Sequence, residues 1–71
     1  MTDRNIVAEL TNEKLELDKK IDSLGETLKN QAKFSISDIQ FELLTKQYNA
    51  MDRYSHILYE RIADLQKANK R

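Results

Sequence analysis

The sequence predicts an all-α fold, a two-helix antiparallel hairpin that assembles into a homo-oligomeric helical bundle, and three observations carry that prediction. Apolar residues recur every three or four positions through both halves of the chain. Turn punctuation is sparse, with one Gly and no Pro in 71 residues, whereas strands need it at short intervals. Charged residues make up 34% of the chain, which suits long helices with one wet face. The whole chain, 1–71, is read as one hairpin domain, with helix 1 over about 3–30 and helix 2 over about 37–68.

In helix 1 the stripe is Val7, Leu10, Leu17, Ile21, Leu24 and Leu28, and Lys14 occupies the one slot that breaks the series. Thr2 or Asp3 can cap its start, and Glu16 with Lys20 forms an acid-then-base pair four residues apart. Gly25 costs about 1 kcal/mol relative to Ala inside a helix, so it marks either a close-packing point or an early end. The connection is signalled by Ser37 and Gln40, a capping box, flanked by Ile36 and Phe41 as a hydrophobic staple. Helix 2 then carries Leu43, Leu44, Met51, Ile57, Leu58, Ile62 and Leu65, and Lys67, Lys70 and Arg71 complement the negative pole of its dipole.

A chain this short buries a modest core, and small scaffolds find additional stability in disulfides, metals or self-association. With no Cys and a single His, His56, the first two are closed, which leaves a homo-oligomer. Twelve basic residues balance twelve acidic ones and the pI is about 6.6, a poor match to polymeric nucleic acid. Apolar runs stop at two or three residues, so neither a membrane span nor a membrane partner is expected, and the location expected is the cytoplasm. No phosphate-binding Gly loop, nucleophile with its base, or metal-ligand cluster is legible, and the expectation is a non-enzyme without cofactor or metal. His56 reads as a surface residue, and Asp18 and Asp22 as a solvated face with Lys19 and Glu26. Phe34, Phe41, Tyr48 and Tyr59 read as packing aromatics.

One feature of helix 2 asks for chemistry. On a wheel of 100° per residue, Gln40, Gln47, Tyr54 and Arg61, each seven apart, fall inside the apolar sector between Leu43, Ala50, Ile57 and Leu44, Met51, Leu58. Polar groups buried without partners cost several kcal/mol, on the order of 2–7 each, so these side chains must meet one another, another chain, water or a ligand. Capping accounts for Gln40 in part. For the rest, one reading is that Gln47 and Arg61 set register and oligomer state, with the Tyr54 hydroxyl at the rim. The other is that protomers gather them around a small polar ligand, Arg61 taking phosphate, Tyr54 stacking on a base and Gln47 bonding its edge. Lys14 is a further candidate cation, or else a lysine snorkelling from the bundle edge.

The series Ser37, Leu43-Leu44, Gln47, Ala50-Met51, Tyr54, Leu58 and Arg61-Ile62, preceded by Glu13, Leu17, Lys20 and Leu24, resembles small phage and prophage proteins of tailed phages, including relatives of crAss-like phage, over Ile6 to Ala63. Its most specific part is Leu-Leu-x-x-Gln-x-x-Ala-Met-x-x-Tyr. In size and architecture the chain is also similar to hairpin sponges by which phages defeat CBASS or Thoeris immunity. That resemblance implies a phage-encoded anti-defence protein in the host cytoplasm that binds a nucleotide signal, a cyclic oligonucleotide such as a cyclic dinucleotide or a cyclic ADP-ribose isomer, without cleaving it. The alternative is an oligomeric coiled-coil module that binds or inhibits a protein partner.

Overall fold

A computed structural model of the chain describes the backbone of residues 2–32 and 34–69 and the side chains of residues 5–32 and 34–67. Two helices make up the fold: α1, Thr2–Lys29, and α2, Asp38–Asn69. Ser55 of α2 meets Asp18 of α1, and Tyr48 meets Gly25, so ascending one helix descends the other and the pair is antiparallel. A 32-residue helix is about 48 Å long at 1.5 Å per residue, which accounts for the 52 Å long dimension of the molecule.

The connection closes through local hydrogen bonds. Ser35 N–H donates to the Ala32 carbonyl (3.2 Å) and Ile36 N–H to the Gln31 carbonyl (3.2 Å), the paired bonds of a Schellman motif. Ser35 holds the left-handed position of that motif at φ 53°. Gln31 Nε2 then donates to the Ile36 carbonyl at 3.2 Å and to Asp38 Oδ1 at 3.4 Å, tying the turn to the start of α2. The Ser37 half of the predicted capping box is present, because the Gln40 N–H donates to Ser37 Oγ at 3.2 Å and the first helical bond runs from Phe41 N–H to the Ser37 carbonyl, whereas the Gln40 side chain makes no return bond to Ser37 among the described residues. Gly25 is not an early end. α1 continues through it to Lys29, with the Tyr48 ring lying over the glycine.

The core is a single seam. Leu10, Leu17, Ile21 and Leu58 are buried, and Tyr48, Met51, Ile62 and Leu65 pack against them. On α1 this is the predicted stripe. On α2 it is not the predicted sector: the seam follows Tyr48, Met51, Ser55, Leu58, Ile62 and Leu65, alternating steps of three and four, whereas Leu43 and Ile57 stay about half exposed at 52% and 46%. Gln47, Tyr54 and Arg61 therefore lie on a flank of the intrachain seam and not in its middle. The physical reason is that α2 carries two apolar stripes one residue apart, and α1 covers only one of them.

Candidate functional site

The seam has one polar layer, and it explains the slot held by Lys14. Ser55 is buried at 7% exposure, and its hydroxyl donates to Asp18 Oδ1 at 2.6 Å, while Lys14 Nζ donates to Asp18 Oδ2 at 2.8 Å. The Lys14 hydrogen bond, followed by that from Ser55, holds the Asp18 carboxyl below its ordinary 3.8, against the opposing effect of burial. Lys14 is thus a half-buried cation committed to a carboxylate. Asp18 is partly exposed, as a solvated face would have it, but it also links the two helices. Lys14 borders a small hollow with Asp52, Ser55, His56 and Tyr59, where the His56 and Tyr59 rings stack at 6.3 Å and Glu60 pairs with His56.

The opposite flank has the more open geometry. Gln47 and Met51 of α2 border a groove of about 440 Å³ with Glu16, Lys20, Ser23, Leu24 and Thr27 of α1. The Gln47 amide touches Met51 Sδ at 3.8 Å, leaving most of its hydrogen-bonding capacity unused. Tyr54 and Arg61 follow at steps of seven, about 10.5 Å apart along the axis, with a drift of about 20° per heptad that keeps them on the same flank. Tyr54 is 44% exposed and Arg61 is exposed. The expected pair of Glu16 with Lys20 is replaced by Glu16 with Lys19 at 3.4 Å. Among the described residues neither Lys20 nor Arg61 has an ion-pair partner, so two cations on this flank are available to an anion.

Of the four residues singled out from sequence, then, Gln47, Tyr54 and Arg61 share one flank of α2, and Lys14 turns to the other side of the hairpin. Lys20, Ser23 and Thr27 were missed as groove residues. The signal was available in the three- and four-residue spacing of Glu16, Lys20, Ser23 and Thr27, which puts them on one face of α1. Such a flank offers a stacking ring, an amide, hydroxyls and cations. Among the described residues no group of three or more His, Asp or Glu side chains is placed to hold a metal ion, and no helix is long and apolar enough to cross a membrane.

The sequence matches a protein-family model described as Sequestin over residues 5–64. The chain belongs to the Sequestin family. The matched region takes in nearly all of α1, the connection, the cap at Ser37 and α2 as far as Asp64, so the seam, the Asp18 and Ser55 link and the Gln47, Tyr54 and Arg61 row all lie inside it. The name Sequestin speaks of sequestering a molecule. No curated protein and no solved structure matches the chain.

Proposed function

We propose that this Sequestin-family chain is a phage-encoded anti-defence sponge, which binds a nucleotide immune signal and withholds it without cleaving it. The signal class is a cyclic oligonucleotide, such as a cyclic dinucleotide, or a cyclic ADP-ribose isomer. The observation that carries the reading is the row of Gln47, Tyr54 and Arg61 on one open flank of a family member whose family name speaks of sequestering. Arg61 and Lys20 supply charge-assisted bonds to phosphate, Tyr54 a face for a base, and Gln47 a donor and acceptor for a base edge. A sponge acts through affinity and abundance, and nothing in that task needs an acid, a base or a nucleophile.

A thermal-shift screen with cyclic dinucleotides, cyclic trinucleotides and cyclic ADP-ribose isomers tests the reading. A ligand at 100 times its dissociation constant stabilises the folded state by about 2.7 kcal/mol, on the order of 10 °C in Tm for a chain this small. Heat denaturation of the complex should return the nucleotide intact. A flat screen would favour the second reading, an oligomeric protein-interaction module, which the half-exposed Leu43 and Ile57 and the exposed Ile39 support in their own right.

A further inference from the structure

The second stripe of α2 is a surface built to be covered. Leu43, Ala50 and Ile57 stand seven residues apart, with Ile39 at one end and Tyr54 between, and every one of them is exposed. The amount of open surface points the same way. The chain exposes 5752 Å² at a mass of 8.4 kDa, whereas a compact monomer of that mass exposes about 4,600 Å². The excess, roughly 1,100 Å², is more than the roughly 800 Å² that each partner contributes to a standard stable interface.

The stripe is also self-complementary. Leu43 and Ile57 are equidistant from Ala50, and Gln47 and Tyr54 lie three and four residues to either side of it. We propose that two copies of this chain pair through α2, antiparallel, about a two-fold axis at Ala50, and that the nucleotide site is completed by both copies. Ala50 is the small residue at the point of closest approach. Leu43 then packs on the partner's Ile57, and Gln47 comes beside the partner's Tyr54. A parallel pairing would set Arg61 against the partner's Arg61; the antiparallel one separates the two guanidinium groups by about 33 Å along the axis, far beyond the screening length of about 8 Å, and opposes the helix dipoles.

The two-fold leaves both α1 helices on the same side of the α2 pair. The grooves lined by Glu16, Lys20, Ser23, Thr27 and Gln47 then open onto one trough, and Tyr54 and Arg61, one and two heptads beyond Gln47 on α2, extend it from each copy. This second half of the proposal rests on the sponge reading; the pairing itself does not.

Single cysteines in this cysteine-free chain test the pairing. A disulfide needs Cα atoms about 4.4–6.8 Å apart, so mild oxidation reports register. Ala50→Cys should link to itself. Leu43→Cys and Ile57→Cys should each stay unlinked alone and link when mixed, and sedimentation of the unmutated chain should give the dimer mass. Self-linking of Leu43→Cys or Ile57→Cys would overturn the antiparallel arrangement. Linking no better than that of Leu15→Cys, placed on the far side of α1, or a monomer mass in sedimentation, would overturn the pairing altogether. Nucleotide titration of the same protein separates the two ideas. The expected cross-links without nucleotide binding leave the pairing and remove the sponge. Nucleotide binding by an unlinked monomer leaves the sponge and removes the shared site.

Discussion

Leu58→Ala should remove a large part of the stability of the hairpin. Leu58 is fully buried, at 0% exposure, and contacts the cluster of Leu10, Leu17 and Ile21 from α1. Truncation forfeits about 2.4 kcal/mol of transfer free energy for three carbons, and the cavity left in a close-packed seam raises the cost to about 3–4 kcal/mol. A 71-residue chain has a total stability of about 4–10 kcal/mol, so one substitution removes about a third of it or more. Thermal melts followed by far-ultraviolet circular dichroism, at one fixed protomer concentration, should show Tm lowered by roughly 15–25 °C. Leu15→Ala, at a position 55% exposed, should change stability by no more than about 0.5 kcal/mol. If Leu58→Ala cost less than about 1 kcal/mol, or if Leu15→Ala cost as much, the seam would not run where the structure places it.

Three further substitutions or conditions probe other links in the chain of causes. Gly25→Ala should stabilise by about 0.5–1 kcal/mol in urea denaturation, because a Cβ there meets the Tyr48 ring at 3.7 Å, an ordinary contact, and the helix gains propensity. Ser35→Gly should raise Tm by a few degrees, since relief of the left-handed strain at φ 53° is worth about 1 kcal/mol before the added chain entropy of Gly is subtracted. Because the folded Asp18 carboxyl ionises below its ordinary 3.8, its contribution is complete above that pH and is lost as the pH falls further, through the lower folded value. Its side chain is 40% exposed, so the drop should be shallow, and Asp18→Asn should lose it in acid titrations followed by circular dichroism.

Much of the fold was legible because helix ends and periodicity are local properties. The α1 stripe, the Ser37 cap and helix ends within about a residue of those predicted follow from side chains acting on their own turn of backbone. The seam of α2 was not legible in the same way. Leu43, Ala50 and Ile57 carry the same period as Leu44, Met51 and Leu58, and period alone cannot say which stripe α1 takes. Tyr48 and Ser55 decide it, as they complete the buried row at steps of seven, but a tyrosine and a serine add little to an apolar count. The same blindness hid the role of Lys14. Its slot was visible as a break in the stripe, but its reason lies 37 residues from Asp18 along the chain, in the Ser55 hydroxyl. The three candidate residues on α2 could be grouped because they sit at one period on one helix; Lys20, Ser23 and Thr27 of α1, which share a groove with Gln47, needed the pairing of the helices before they could be joined to it.

Sequestration is tested most directly by isothermal titration of the purified protein with the cyclic dinucleotides, cyclic trinucleotides and cyclic ADP-ribose isomers, followed by recovery of the bound molecule after heating. The expected result is saturable heat with at least one of them, intact nucleotide on release, and a loss of about 10- to 150-fold in affinity for Arg61→Ala, the equivalent of one charge-assisted bond of about 1.5–3 kcal/mol, with helix content unchanged. No heat across the set, or recovery of a cleaved nucleotide, would contradict it.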